Sequence, residues 1–317
     1  MTDTTIGIDI SKDHLDACRW PADETCRVSN DAAGHRMLLR WIGADVAADL
    51  AADLAIVAFE ATGAYHGALE RALHKAAIPC AKLNPARVRR FAEAIGTRAK
   101  TDRVDARLIA RMAAMVEPAP QAPKPAGHAP LHELQLARTS LVRARTAARN
   151  RARHLTLPLL RRQHADRLRC IRRDLAAIDA AIAALIAADP EIARKAAILC
   201  SIPGISKVSA AAILADLPEI GTLEPAAVAS LAGVAPITRE SGEWKGQARV
   251  GGGRRDLRRA LYMPALAAAR FNPNLEAVYE RLRARGKPGK LALTAVMRKL
   301  ILLANLLVHE NRLWEPR

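Results

Sequence analysis

Four carboxylates in the first third of the chain occupy positions where an acid is costly unless something binds it: Asp9, Glu60, Asp102 and Asp105. Asp9 interrupts the apolar run Ile6-Gly7-Ile8-Asp9-Ile10, and Glu60 closes another, Leu54-Ala55-Ile56-Val57-Ala58-Phe59-Glu60. Asp102 and Asp105 stand three apart at the start of a helical pattern and so share a face. Carboxylates at strand ends and on one helix face suit hard divalent cations, which take oxygen ligands. Two such ions about 3.5–4 Å apart can activate an attacking oxygen and stabilise a leaving one in phosphoryl transfer. The competing reading is surface acids paired with Arg103 or Arg107 at helix spacing, and Asp13 and Asp16 are alternative ligands that spacing leaves open.

A hydroxyl supplies a second kind of chemistry. Ser241 sits beside Gly242 in a stretch, 239–255, that also carries Arg239, Lys245, Arg249, Gly251, Gly252, Gly253, Arg254 and Arg255. A serine ringed by cations has the ingredients of a nucleophile for phosphate, because the cations stabilise charge that builds in the transition state. The glycines allow close backbone approach to a phosphate. No base lies within the segment, and a solvated basic loop is the competing reading. Tyr262, in Ala260-Leu261-Tyr262-Met263, falls inside a helical pattern and reads as a packing residue. Ile202-Pro203-Gly204-Ile205 reads as a hairpin between helices, able to offer backbone N–H groups to a phosphate, with an ordinary turn as the competing reading.

Charge says what such chemistry acts on. The 317 residues carry a net charge of +17, and half of them are apolar, enough for two domains and a sizeable core. Residues 1–117 hold 16 Lys+Arg against 16 Asp+Glu, and residues 118–317 hold 33 against 16, so the whole excess lies outside the acidic segment. That division suits an acidic site delivered to nucleic acid by basic neighbours. With only 3% aromatic residues, affinity must rest on phosphate and shape more than on a track of stacked bases. The five cysteines (Cys18, Cys26, Cys80, Cys170, Cys200) form no CxxC pair and read as reduced, mostly buried thiols of a cytosolic protein. No signal peptide and no apolar run of membrane-spanning length are expected.

The elements that must position these residues follow from periodicity. Residues 4–10, 14–20 and 24–29 read as strands, 31–53 as a helix, 54–60 as a strand, 65–77 as a helix, 78–83 as a short strand, and 85–95 and 101–116 as helices. A meander followed by alternating β and α elements is the order of an RNase H-like domain, which would bring Asp9 and Glu60 together at the sheet's centre, with Asp102 and Asp105 over them. Residues 118–130 read as a Pro/Ala linker. An Arg-rich helical arm follows over 131–200, with twelve Arg and one acid between Arg138 and Arg173, an interruption at Pro158, and an unbroken helix over 174–200. Residues 201–237 read as helical hairpins, 238–255 as a loop, and 256–270, 273–285 and 290–309 as helices. The expected class is α/β plus α: a metal domain over 1–117, the linker, the arm over 131–200, and a mostly helical domain over 201–317.

At these residues the chain resembles a known family. Gly7-Ile8-Asp9-Ile10-Ser11-Lys12, Phe59-Glu60-Ala61-Thr62-Gly63-Ala64-Tyr65 and Lys100-Thr101-Asp102-Arg103-Val104-Asp105-Ala106 resemble the DEDD transposases of bacterial insertion sequences, the insertion-sequence-110 family. So do Ile202-Pro203-Gly204-Ile205, Ser241-Gly242, Arg258-Arg259-Ala260-Leu261-Tyr262-Met263, Gly286-Lys287-Pro288-Gly289-Lys290 and Met297-Arg298-Lys299-Leu300, in order along the chain. The stretch Gly251-Gly252-Gly253 is more glycine-rich than that family's loop.

The resemblance implies a RuvC-like N-terminal domain in which Asp9, Glu60, Asp102 and Asp105 hold Mg2+, with Mn2+ as a substitute. It implies a C-terminal transposase domain whose serine, matched by Ser241, attacks DNA to give a covalent phosphoserine. It implies guidance by a structured RNA encoded by the element, acting on element ends and target DNA. Protomers would assemble as a dimer, and as a tetramer in the synaptic complex, where the serine of one can complete the metal site of another. Arg143, Arg145, Arg149 and Arg153 of the arm, with Arg249, Arg254, Arg255 and Arg258, are the expected nucleic-acid contacts. Such a protein would work in the cytoplasm at the nucleoid, with no membrane partner. The alternative is a hydrolytic, structure-specific RuvC-like nuclease using metal-activated water. A binding protein with a degenerate site is the third class, against which the complete acid quartet speaks.

Overall fold

The structure, a computed structural model, describes residues 4–43, 54–60, 65–96, 102–121, 128–238, 240–241, 244–246 and 248–316. The chain divides into two compact units, Met1–Pro123 and Lys124–Arg317. In the first lie β1 (Thr4–Ile10), β2 (His14–Trp20), β3 (Glu24–Ser29), α1 (Ala32–Ile42), β4 (Leu54–Glu60), α2 (Gly67–Lys75), β5 (Cys80–Leu83), α3 (Pro85–Ala94) and α4 (Asp102–Val116). The sheet order is β3-β2-β1-β4-β5. β1 to β3 form an antiparallel meander, and β4 and β5 add in parallel on the other edge of β1. This mixed five-stranded sheet with helices on both faces is the RNase H-like arrangement.

Alternation along the strands sorts side chains to the two faces. Ile6, Ile8 and Ile10 of β1 join Val57 and Phe59 of β4 in a core closed by Leu38 and Ile42 of α1 and Leu69 and Leu73 of α2. The opposite face packs Ile56, Ala58 and Leu83 against Val88, Leu108, Ile109 and Met112 of α3 and α4. Gly7 lets α4 cross the sheet at backbone contact: a Cβ there would meet Ala106 O at 2.2 Å and Ala110 N at 2.3 Å. Thr5 Oγ1 donates to Ala110 O at 3.1 Å, so α4 runs antiparallel to β1.

The helix expected over 31–53 starts on an Asp31 cap, whose carboxylate accepts from Ala33 and Gly34, and ends at Gly43 with φ +96°. Residues 44–53 lie outside those described. The segment expected as linker is irregular over 117–121, outside the described residues over 122–127, and already helical from His128.

The second unit comprises α5 (His128–Ala152), α6 (Pro158–Ala188), α7 (Pro190–Ser201), α8 (Lys207–Asp216), α9 (Pro225–Leu231), β6 (Pro236–Ile237), β7 (Glu240–Ser241), β8 (Trp244–Lys245), β9 (Arg249–Val250), α10 (Arg255–Phe271), α11 (Pro273–Ala284) and α12 (Gly289–His309). Pro158 opens α6 at its first turn, as expected of a residue with no N–H to give. The unbroken helix expected over 174–200 is corrected: Asp189 caps a new helix, accepting from Glu191 N and Ile192 N, with Pro190 at its first position. The root of the arm belongs to the main core, where Leu131 and Ile182 pack with Ile198, Leu214, Leu261 and Leu300. Farther out, Ala148, Ile171 and Leu175 form a small cluster of their own between α5 and α6.

Two expectations change with the burial pattern. α12 is long and apolar enough to cross a membrane by length and composition, contrary to the expectation that no segment is. Its Leu293, Val296, Leu300, Ile301, Ala304 and Leu307 are buried in the core of the second unit, which accounts for that apolarity. All five cysteines are free, with Cys18 and Cys80 buried, Cys26 and Cys200 half-buried, and Cys170 exposed on the arm.

Candidate active site

The acids are positioned by register. Ile8 of β1 pairs in parallel with Phe59 of β4, so Asp9 and Glu60 each follow a paired residue at neighbouring strand ends. Thr5, Gly7 and Asp9 alternate onto one face with Ile56, Ala58 and Glu60, the face that α4 covers. Ala106 and Ala110 lie over Gly7, so the turn before Ala106, which begins at Asp102 and includes Asp105, lies toward the Asp9 end of β1. The backbone therefore directs all four positions to one end of the sheet. The side chain of Asp102 lies outside the described residues. Asp9, Glu60 and Asp105 are half-buried, and each has an interaction partner in the structure. Among the described residues no three His, Cys, Asp or Glu groups stand close enough together to hold a metal. The donor set, carboxylate oxygens only, fits a hard divalent cation such as Mg2+.

The alternatives separate on the same geometry. Asp16 of β2 lies directly opposite Asp9 and is buried, with Arg27 Nη2 at 3.2 Å, so its charge is met by an arginine. Asp13 is exposed in the turn after β1. Of the two arginines in the competing reading, Arg107 pairs with Asp23, and the side chain of Arg103 lies outside the described residues. Asn30 is a residue that sequence reasoning missed: its Nδ2 donates to Ser11 O at 2.9 Å and Tyr65 O at 3.3 Å, tying the loop after β1 to the segment before α2. His35 Nε2 stands 3.0 Å from Asn30 Oδ1, and burial pushes its pKa down. An Asn ahead of a helix reads as a cap, so nothing local marks this role.

In the second unit the expected loop over 238–255 is a narrow hairpin. Pro236 pairs with Val250, Ile237 with Arg249, Glu240 with Lys245 and Ser241 with Trp244. Ser241 is exposed at its tip, beside Gly242 and Glu243, which lie outside the described residues, as do Arg239 and Gln247.

The root of this hairpin is built by glycines and two arginines. A Cβ on Gly253 would meet Gly233 N at 2.4 Å, and one on Gly233 would meet Gly252 O at 2.5 Å; all three glycines have positive φ. Their freedom is thus used for contact between two chain segments. Arg258 Nη1 donates to Gly252 O at 2.8 Å and Gly233 O at 3.4 Å, bracing both sides of the root. Arg254 N donates to Leu231 O at 2.6 Å, and its guanidinium takes both Glu219 carboxylate oxygens at 2.7 Å and Asp216 O at 2.9 Å. Of the arginines expected to contact nucleic acid, Arg254 and Arg258 therefore have structural partners. Arg143 pairs with Asp256 at 3.1 Å, Arg149, Arg153, Arg249 and Arg255 are exposed, and Arg145 is half-buried. Tyr262, expected to pack, is 44% exposed.

A transposase family model, DEDD_Tnp_IS110, matches residues 6–159, and the model of the Transposase IS116/IS110/IS902 family matches residues 196–280. Over the whole chain, and 99% of the relative's length, the sequence is 31% identical to a pilin gene-inverting protein of Moraxella bovis. The chain belongs to the IS110 family of DEDD transposases. A pilin gene-inverting protein of Moraxella lacunata is 32% identical over the same span, and an IS110 insertion-element protein of Streptomyces coelicolor is 33% identical over 51% of this chain and 40% of its own. Among solved structures, T. thermophilus RuvC in complex with a Holliday junction substrate covers 37% of this chain and 98% of its own at 15% identity, with a TM-score of 0.26, too low to carry an argument. Membership makes this IS110-family protein an enzyme of DNA recombination. The family models span both the acidic sheet end and the serine hairpin.

Proposed function

We propose that this IS110-family transposase cuts and rejoins insertion-element and target DNA through a covalent bond to Ser241. The observation that carries the reading is the hairpin itself, a small hydroxyl exposed at the tip of a finger with a braced root. Ser241 Oγ bonds to the backbone phosphorus, one ester oxygen leaves as the hydroxyl of the cut strand, and attack by a strand end on the phosphoserine reverses the bond. The energy of the phosphodiester is thereby kept for rejoining. Asp9, Glu60, Asp102 and Asp105 would hold Mg2+, or Mn2+ in its place, which supplies Lewis-acid stabilisation of phosphate charge when bound. Asn30 holds the surrounding loops in register. Arg143, Arg145, Arg149, Arg153, Arg249 and Arg255 hold DNA and an element-encoded guide RNA, while Arg254 and Arg258 keep the hairpin in place. Dimers, joined as tetramers on two DNAs, would bring the partners together at the nucleoid.

The test is a denaturing gel after incubation with element DNA, Mg2+ and RNA transcribed from the flanking non-coding sequence. A protein–DNA adduct forms with the native chain, disappears with Ser241→Ala, and disappears with EDTA. Asp102→Ala abolishes cleavage while RNA binding persists. Strand cleavage without an adduct, unchanged by Ser241→Ala, would replace this reading with the hydrolytic nuclease.

A further inference from the structure

A cavity of about 450 Å3 opens beside the root of the serine hairpin, lined by Val250 of β9, Arg258, Arg259 and Tyr262 of α10, and Thr294 and Met297 of α12. Its chemistry is mixed in a particular way. Val250 and Met297 give an apolar wall and floor, Tyr262 an exposed aromatic ring, and Arg258 and Arg259 positive charge. The charge continues outward along both helices. Arg255, Arg259, Tyr262 and Leu266 follow one another at three- and four-residue steps on the exposed side of α10. Lys290 and Arg298 are exposed on α12, each one turn from Thr294. Asp256, an acid beside this patch, accepts from both Arg259 and Arg143 at 3.1 Å, orienting one face of Arg259. An aromatic face on an apolar floor, ringed by cations, matches a nucleobase joined to its phosphate.

We propose that this cavity receives one unstacked base of the substrate DNA strand, stacked on Tyr262 with Arg259 on the adjoining phosphate. DNA is the occupant because the cavity wall is the strand that continues into the hairpin carrying Ser241. Val250 pairs with Pro236, and Ser241 stands five positions beyond Pro236. At about 3.3 Å per residue such a separation reaches at most about 16 Å, or about five steps of a duplex strand at about 3.4 Å each. The pocket thus fixes the register of the strand near the phosphate that Ser241 addresses. The proposal rests on Ser241 acting on DNA, but its test does not need the serine.

Ser241→Ala protein is mixed with element-end DNA carrying 5-iododeoxyuridine stepped through the strand and with the flanking RNA, or in a parallel series with unlabelled DNA and RNA carrying 5-iodouridine, then irradiated and mapped by mass spectrometry. One or two adjacent positions cross-link to Tyr262. The cross-linked complex persists with Tyr262→Phe, through the phenyl ring, and falls roughly tenfold with Tyr262→Leu, while DNA binding by anisotropy changes far less. Absence of any Tyr262 cross-link, equal loss in the Phe and Leu variants, or cross-linking only from 5-iodouridine in the RNA would each overturn it. A Tyr262 cross-link in the Ser241→Ala protein, with no adduct from the native chain, would keep the pocket and remove the serine reading.

Discussion

Beneath the serine hairpin, Asp216 is a carboxylate in an uncomfortable environment. Burial, with Asp256 nearby, pushes it from an ordinary 3.8 up to about 6, against the opposing pull of Arg254. His132 Nε2 stands 3.9 Å from its carboxylate. The native state therefore keeps a proton that the unfolded chain has lost between about pH 4 and 6, so stability falls as pH rises through that window and stays lower above it. Asp216→Asn removes the charged form. It should raise stability near pH 7 by up to about 3 kcal/mol, less whatever solvent already screens, and flatten the decline. Urea midpoints at acid and neutral pH measure this, and a neutral-pH loss in the variant would mean that the charged carboxylate is needed. The same scale shows what could be read early. Asp9 and Glu60 stood out because an acid in an apolar strand is conspicuous. The exposure of Tyr262 was hidden because it neighbours Leu261, and only the buried stripe Leu257, Leu261, Ala265 and Ala268 shows which way α10 faces. The task of Gly252 and Gly253 was hidden because their partner, Gly233, is distant in sequence.

Elements were legible where a strand had to alternate and a turn residue had to stop it. β1, β2, β3 and β4 begin and end where periodicity placed them. The break at Asp189-Pro190 went unread because the apolar spacing of α6 runs on into α7, so the cap and the proline had to decide against it. The hairpin of β6 to β9 was unread because two-residue strands have no period to detect. How closely α4 crosses the sheet depends on Gly7 of β1. Gly7→Ala would put a Cβ within 2.2–2.3 Å of the α4 backbone, which cannot rotate away. The expected cost is about 2–3 kcal/mol or more, with cleavage lost as the first turn of α4 shifts from Asp9. Gly67→Ala is the control, since its Cβ meets only the end of Arg71 at 3.5 Å. Equal melting temperatures for the two variants would show that the close crossing is not structural.

The division of charge follows the division of the molecule. Residues 1–123 contain no charged residue beyond Glu117, so the first unit sums to zero and Lys124–Arg317 carries the whole +17. A neutral unit has little long-range attraction for phosphate, so affinity for nucleic acid is set by the second unit through counterion release. With about 6–10 phosphates contacted, binding to duplex DNA should weaken about 10³–10⁵-fold between about 50 and 200 mM salt. Replacing Arg145, Arg149 and Arg153 of the arm with alanine should lower the slope of log affinity against log salt by about 2–3. Replacing Asp9 with asparagine should leave that slope unchanged while removing cleavage, because it alters no cation. Fluorescence anisotropy across a salt series reads both. If the arm variant kept the native slope, those three arginines would not touch phosphate, and the electrostatic footprint would shift to Arg249 of β9 and to α10 and α12, where Arg255, Lys290 and Arg298 are exposed.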